Sequence, residues 1–338
     1  MSPGVKAAAK DAEKVRLELI RLGAFDSGLK IKRTKNYVIL PVKKEKVGEL
    51  GKKFALIEAK FETQEVRKKF TDYLHEFLLS EEIQHARTSF DVIGDIAVIE
   101  IPEELERREQ KIAESLLLAH QNIKTVFKKG SEEKSEERLR ELKFLAGENK
   151  TETLHNEHGC RFKLDVAKVY FSPRLSYERQ RILEQVKDGE AIADLFAGAG
   201  PFSILLAKYR DVKVYAIDAN PAAVEYLREN IKLNKVESRV IPLLGDAREA
   251  APRNVATRVI MNLPKSAAQF LDLAFDVIER GVIHFYTISP EEDLYDSKIK
   301  FIESVAEQKG RAIEILNKRI VRPYSPRNYH VVIDVVVK

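Results

Sequence analysis

The sequence predicts an α/β protein whose C-terminal half is a parallel, doubly wound sheet, preceded by two smaller α+β units. Three observations carry this. The chain has 338 residues, too many for one module at ~100–200 residues per domain. From about residue 166 strand and helix signals alternate, the pattern of βαβ units on a parallel sheet. Within that stretch a glycine-rich turn, Gly198-Ala199-Gly200, falls where a strand ends and a helix begins.

In chain order, residues 1–62 form the first unit. Val15, Leu19 and Leu22 recur at helical spacing and Gly23 follows as a stop, then Tyr37 to Val42 reads as a strand. So small a unit has a thin core and is expected to dock on something larger. Residues 63–165 form the second. Phe90 to Glu100 is strand-like, a helix places Leu105, Ile112, Leu116 and Ala119 on one face, and Leu139–Leu145 and Arg161–Val166 read as further strands. Lys128 to Glu137 has no apolar residue and reads as a solvated loop.

The third unit, 166–338, has strand-like runs at Ala191–Phe196, Val212–Ile217, Val240–Leu244, Arg258–Asn262 and Val282–Ile288, with Val331–Val337 closing the chain. Its clearest helix starts at Asn220 as N-cap with Pro221 at the first helical position, and carries an apolar stripe of Val224, Leu227 and Ile231.

Composition narrows the class. Hydrophobic residues make up 44% and charged residues 33% of the chain, which excludes a disordered or membrane-embedded protein. No apolar run approaches the ~18 residues of a spanning helix, and the N-terminus lacks a signal-peptide core, so a soluble cytoplasmic protein is expected. A single cysteine, Cys160, excludes an internal disulfide and a cysteine-rich zinc cage. Lys and Arg total 58 against 53 Asp and Glu, a net charge of +5, which permits an anionic partner without requiring one.

The glycine turn begins the chemistry. Gly198 and Gly200 let the backbone bend tightly and approach a ligand, and the following helix offers unpaired N–H groups at its start. A dinucleotide fingerprint needs a third glycine, where this chain has Ser203, and no P-loop lysine follows. The acidic residue ahead of the glycines, Asp194, instead suits a ligand with a cationic amino-acid end. Asp218 ends the next strand, where a carboxylate can accept both ribose hydroxyls. Asp246 ends the third strand, within reach of an adenine amino group, and Asn262-Leu263-Pro264-Lys265 ends the fourth. Each alone is weak, since a glycine turn is often only a turn and an aspartate after a strand is often only a cap. Together, on the carboxyl edge of one sheet, they read as an S-adenosylmethionine site in a class I, Rossmann-like domain. The cofactor-binding set is Asp194, Phe196, Gly198, Gly200, Asp218, Asp246 and Asn262.

These residues also carry a family resemblance. The segments Asp194–Phe202, Ile217–Pro221, Met261–Lys265, Lys168–Arg179 and Arg138–Glu148 resemble the archaeal and eukaryotic type of tRNA (guanine-37-N1)-methyltransferase. The likeness runs through about 90–338 and is most specific between 138 and 265; the first unit matches only in size and position. The resemblance implies methyl transfer from S-adenosylmethionine to N1 of the guanine 3′ of the anticodon. It implies that the first unit docks on the tRNA elbow while the other two grip the anticodon stem-loop. It implies Glu178 as general base, Arg138 as the group stabilising the target base, Asn262 as a contact in the target pocket, and Tyr170, Arg174 and Pro264 around that pocket. It also allows magnesium, in tRNA folding or catalysis, although no acidic cluster marks a metal site. No protein partner is indicated.

The chemistry fits these residue types. Guanine N1 carries a proton at neutral pH, so a base must remove it while negative charge builds on O6. A positioned carboxylate gives ~10²–10⁴-fold, and an arginine can donate two hydrogen bonds toward the anion. The target base must be splayed out of its loop, with Tyr170 and Phe171 as surfaces on which to stack. Lys30, Lys32, Arg33, Lys35, Lys128, Lys129, Arg319, Arg322 and Arg327 can meet phosphates. The bland readings are a surface ion pair for Glu178-Arg179 and core packing for Tyr170 and Phe171.

Competing functions separate on particular residues. Methylation of an exocyclic amine goes with an Asn/Asp-Pro-Pro-aromatic motif, and Asn262-Leu263-Pro264-Lys265 lacks both the second proline and the aromatic. A wyosine-pathway relative, transferring a methyl or an aminocarboxypropyl group at position 37, is related to the same family; the Asn-Leu-Pro-Lys motif and Glu178 favour plain N1 methylation. A non-catalytic tRNA-binding protein would be expected to have lost Glu178, Arg138 or the glycines, and all are present. A nicotinamide oxidoreductase is disfavoured by the missing third glycine.

Overall fold

The computed structural model describes residues 1–63, 68–133 and 140–338. It divides into two compact units, 1–73 and 74–338. Among the described residues no helix is long and apolar enough to cross a membrane.

The first unit contains β1 (Ser2–Ala8), α1 (Ala12–Arg21), β2 (Lys32–Arg33), β3 (Tyr37–Pro41), α2 (Val47–Leu50) and β4 (Leu56–Ala59), with α3 (Phe70–Leu74) at its end. Its strands form one sheet in the order β2-β3-β1-β4, with β1 antiparallel to both neighbours. Of the expected stripe, α1 packs Leu19 into a small core with Val5, Leu40, Val42 and Leu50, with Val15 partly buried against it, while Leu22 follows the helix as its cap and lies exposed. Gly23, in the left-handed region at φ 64°, follows the end of that helix.

The second unit opens with α4 (Ser80–His85), then β5 (Phe90–Ile93), β6 (Ile96–Ile99), α5 (Glu109–Ala119), β7 (Thr125–Glu133) and β8 (Arg140–Gly147). These strands make a four-stranded sheet in chain order. Two expectations are corrected here. Phe90–Glu100 is a hairpin rather than one strand, because Gly94 turns the chain at φ 60°. The part of the expected loop from Lys128 to Glu133 lies in β7. Charge is tolerated there because it is paired: Lys128 with Glu106 and Glu109, and Lys129 with Glu100. The rest of that stretch lies outside the described residues.

A hairpin of β9 (Glu152–Glu157) and β10 (Cys160–Asp165) leads to α6 (Ser176–Gln185) and the main sheet. That sheet is built from β11 (Ala191–Asp194), α7 (Pro201–Tyr209), β12 (Lys213–Asp218), α8 (Pro221–Asn234), β13 (Val240–Leu244), α9 (Ala247–Ala250), β14 (Ala256–Met261), α10 (Leu271–Val277), β15 (Ile278–Pro290), α11 (Asp296–Gln308), β16 (Ile313–Ser325) and β17 (Asn328–Val337). Its seven strands run in the order β13-β12-β11-β14-β15-β17-β16. The first five are parallel, and β17 runs antiparallel between β15 and β16. The sheet is therefore mixed at one edge. The sequence did not announce β16, an edge strand whose Lys318-Arg319 and Arg322 mask its alternation.

Alternation along the inner strands builds a core on each face. Ile260, Tyr286 and Val332 pack with Ile182 of α6, Leu205 of α7 and Leu227 of α8. Val259, Met261, Ile283, Phe285 and Ile333 pack with Leu271 of α10 and Ile302 of α11. The chain leaves β11 in one direction to β12 and returns on its other side as β14. That reversal of strand order opens a crevice at the carboxyl ends, the place where open α/β sheets bind ligands.

Candidate active site

A cleft of about 410 Å³ occupies that crevice. Its floor is the turn after β11. Gly200 is the N-cap of α7 at φ 89°, and Pro201 begins the helix with the backbone angle proline already prefers. The left-handed angle at Gly200 is what calls for glycine, and a Cβ there would also lie 2.5 Å from Leu227 Cδ1 of α8. Gly198 donates its N–H to Asp218 Oδ2 at 2.7 Å. The other oxygen, Oδ1, accepts from Asn220 N–H at 2.9 Å, and Asn220 Oδ1 caps α8 through Ala222 N–H at 2.9 Å. Asp218 thus ties the glycine turn to the start of α8 and itself lines the cleft.

Beyond it, exposed Asp246 caps α9 through Arg248 N–H at 2.8 Å. The Arg248 guanidinium lies 4.0 Å from the centroid of the Phe270 ring, and Phe270 meets Phe196 edge-on at 5.0 Å. The cleft therefore sets carboxylates beside an aromatic wall, which suits a ligand with hydroxyl and amino donors on a flat apolar ring. S-adenosylmethionine has those features, and the donor set fits it.

Of the sequence-predicted cofactor residues, Phe196, Gly198, Asp218, Asp246 and Asn262 line the cleft. Gly200 and Asp194 stand behind it. Asp194 is 1% exposed and accepts from the Ser203 hydroxyl at 2.7 Å, bracing the turn against α7. Burial pushes its carboxyl up to about 7, against the pull of the Ser203 hydrogen bond. Asp194 does not line the cleft, and its hydrogen bond with Ser203 makes it a support for the turn.

On the substrate side Tyr170 and Phe171 line the cleft. Arg174 does not; it is exposed and donates to Asp91 Oδ1 at 2.5 Å. Pro264 lies next to the lining residue Leu263 without itself lining the cleft. Arg138 lies outside the described residues. Glu178 and Arg179 are both buried, at 2% and 1% exposure, which removes the surface-pair reading. They face different ways. Arg179 lines the cleft, and its Nε and Nη2 each donate to Glu157 at 2.6 Å. Burial works to raise the Glu157 carboxyl, but hydrogen bonds from His155 and Arg179 hold it down at about 2. Glu178 turns toward the sheet, where Tyr286 O–H and Arg181 donate to it.

Sequence reasoning missed Arg179 as a cleft residue, and missed Arg181, Tyr286, His284 and Asp334 altogether. A signal was present for two of them. His284 sits inside the apolar run Val282–Ile288 and Asp334 inside Val331–Val337, and a lone ionisable group in a buried strand must find a partner.

A mixed seven-stranded sheet with an adenosine-compatible, acid-edged cleft at its crossover defines a class I S-adenosylmethionine-dependent methyltransferase. Comparison with known proteins agrees. Residues 153–316 match the TRM5/TYW2 methyltransferase domain, 70–151 the TYW2 N-terminal domain, and 4–49 the tRNA methyltransferase 5 N-terminal domain. A tRNA (guanine(37)-N(1))-methyltransferase, Trm5b of Pyrococcus abyssi, is 47% identical over 336 residues, covering 99% of this chain and 98% of that protein. The crystal structure of that Trm5b superposes with a TM-score of 0.78 at 46% identity, covering 100% of both chains. The complex of aTrm5 with tRNALeu gives a TM-score of 0.75 at 39% identity, covering 99% of each. The chain belongs to the archaeal Trm5b family of tRNA (guanine-37-N1)-methyltransferases.

Proposed function

We propose that this protein methylates N1 of guanosine 37 in tRNA. The observation that carries the reading is the cleft itself, joined to similarity that extends along 99% of the chain. Asp218, Asp246 and the glycine turn would hold S-adenosylmethionine, which would supply a methyl group already activated on a positively charged sulfur. The protein's own residues prepare the acceptor. Glu178 takes the N1 proton, so that the nitrogen lone pair is free to attack. Arg138 stabilises the charge that builds on O6, and Asn262, at the carboxyl end of β14, holds the base edge. Tyr170, at the cleft wall, stacks on the extruded base, while Arg174 and Pro264, neighbours in sequence of the lining residues Leu175 and Leu263, are read as further contacts to the RNA. Leu175 and Arg179, three residues before Glu178 and one after it, line the cleft, while Glu178 itself is buried and turned toward Tyr286 and Arg181.

Residues 1–62 are assigned to the tRNA elbow, 63–165 to RNA binding and 166–338 to catalysis. Magnesium belongs to this reading either in tRNA folding or in catalysis; among the described residues no three His, Cys, Asp or Glu side chains group as a metal site.

The alternative is a wyosine-pathway activity at the same position. An aminocarboxypropyltransferase of Methanocaldococcus jannaschii is 38% identical but covers 72% of this chain. The match of residues 4–49 to a methyltransferase N-terminal domain favours methyl transfer. The test uses unmodified tRNA transcripts with guanosine or adenosine at position 37, labelled S-adenosylmethionine, and mass spectrometry of the product nucleosides. 1-Methylguanosine from the guanosine transcript alone is expected. An aminocarboxypropyl adduct, or no label, overturns the reading. Glu178→Gln should lower turnover by ~10²–10⁴-fold with cofactor affinity retained.

A further inference from the structure

Beneath α6 a row of buried charged and polar groups crosses the sheet. Glu178 Oε1 accepts from Tyr286 O–H at 2.7 Å and from Arg181 Nη2 at 2.7 Å, while Oε2 accepts from Arg181 Nε at 3.0 Å. Arg181 Nη1 also donates to Asp334 Oδ2 at 2.6 Å. Asp334 Oδ1 lies 2.6 Å from His284 Nδ1, and His284 Nε2 lies 2.7 Å from Arg258 Nη1. Arg258 closes the row on Glu190 at 2.6 and 3.0 Å. Strand register makes this possible, because His284 faces Asp334 across β15 and β17 and Ile260 across β15 and β14.

The protonation pattern follows from donors and acceptors. Arg258 can only donate, so His284 Nε2 accepts and Nδ1 carries the proton toward Asp334. Burial keeps His284 from charging, which agrees. Burial, then the nearby Glu178 charge, pushes the Tyr286 hydroxyl well above its ordinary value, so it remains a donor. Burial opposes the charges on Arg181 and Asp334, but their hydrogen bonds outweigh it. Arg181 is held more firmly protonated and the Asp334 carboxyl well below its usual range.

Two carboxylates thus share one guanidinium, and the arrangement has a chemical consequence. When a base takes a proton, its charge disappears. Had Arg181 only Glu178 as a partner, protonation would strand a buried cation, and stranding one member of a buried pair is strongly unfavourable. With Asp334 on its other edge, Arg181 stays neutralised after Glu178 becomes an acid. Tyr286 and Arg181 crowd Oε1, which leaves Oε2 with the greater open acceptor capacity.

Resting on the assignment of Glu178 as the base, we propose that Arg181, Tyr286 and Asp334 are positioning residues for it. Tyr286 and Arg181 hold Oε1 so that Oε2 receives the N1 proton, and Asp334, oriented by His284, compensates Arg181 in the protonated state. The proton would pass from guanine N1 to Glu178 Oε2; the freed N1 pair would form the new bond to the methyl carbon as the carbon–sulfur bond breaks, its electron pair staying on the sulfur of the departing neutral thioether, and Arg181 keeps all its protons throughout.

The test compares Tyr286→Phe, Asp334→Asn and Glu178→Gln in the full chain with guanosine-37 tRNA. Single-turnover rate constants, cofactor Kd, tRNA KM and thermal melting are measured for each. Tyr286→Phe removes one oxygen from a packed ring and should keep the melting temperature, Kd and KM while losing ~10-fold or more in rate, since loss of positioning is felt in the rate constant. Asp334→Asn should lose at least as much in rate. Should it fail to fold, Tyr286→Phe decides alone. A Tyr286→Phe rate equal to wild type, or a rate loss matched by losses in Kd and KM, overturns the proposal. Glu178→Gln separates the two levels. Wild-type turnover there removes Glu178 as base and the proposal with it, whereas an inactive Glu178→Gln beside a fully active Tyr286→Phe leaves the base and removes only the clamp.

Discussion

Replacing Asp194 by asparagine should make the protein's stability less sensitive to pH, by an amount the structure sets. Asp194 is 1% exposed. Burial raises its carboxyl from 3.8 to about 7, with Asp218 adding to the rise and Ser203 opposing it. Between those values the unfolded chain loses the proton while the folded chain keeps it. The stabilising contribution of the neutral carboxyl is therefore fully present below the unfolded value and is lost as pH rises toward about 7. A gap of roughly three pH units, at ~1.4 kcal/mol for each, amounts to ~4 kcal/mol. Asparagine has nearly the same shape, can still accept from Ser203, and does not titrate. The assay is urea unfolding of cofactor-free wild type and Asp194→Asn from about pH 4 to about pH 8, read as the difference between the two at each pH. Glu157, held at about 2, and every other group contribute to both proteins and cancel. The difference should move in favour of Asp194→Asn by ~4 kcal/mol across that range. A difference that stays constant within ~1 kcal/mol would refute a buried, proton-holding Asp194. The same variant should keep cofactor affinity within a few-fold, because its carboxyl does not line the cleft.

Asp218→Ala should weaken S-adenosylmethionine binding ~10–100-fold, the worth of one or two hydrogen bonds to a charged group; an unchanged Kd by calorimetry would move the ribose contact elsewhere. Gly200→Ala combines a left-handed backbone angle with a Cβ set 2.5 Å from Leu227. It should destabilise the fold by ~1–3 kcal/mol, and a wild-type unfolding midpoint would contradict the close approach of the turn to α8. Glu157→Gln leaves buried Arg179 without its ionic partner. It should cost ~3–5 kcal/mol of stability at neutral pH, a loss that shrinks in acid, because the contribution of the depressed Glu157 carboxyl falls away as pH drops from 4.5 toward about 2.

Sequence periodicity located the five parallel strands and the helix capped by Asn220, because their signals are local: alternating or continuous apolar runs, turn glycines, and a cap followed by proline. The same local logic joined β5 and β6 into one strand, since both are apolar and only the backbone angle at Gly94 divides them. It read Lys128 to Glu133 as loop because charge in a strand looks unfavourable until Glu100, Glu106 and Glu109 supply the partners. The cofactor edge was legible for a topological reason. Residues that end successive parallel strands must share one edge of the sheet, so Asp218, Asp246 and Asn262 converge whatever the side chains do later.

Side-chain direction is another matter. That Asp194 turns under the turn and Phe270 closes the wall was fixed by the packing of α7 and α10 against opposite faces of the sheet. Glu178 and Arg179 are neighbours in the chain, yet a helix points adjacent residues about 100° apart. One therefore reaches the cleft and the other the sheet. The sequence by itself determined which residues could meet, through strand order and period. Only the tertiary structure decided which did, because burial leaves a charge no choice but to find its counter-charge, as Arg181 and Asp334 do across 153 residues of chain, and a neutral imidazole its hydrogen-bond partner, as His284 does with Asp334 50 residues away.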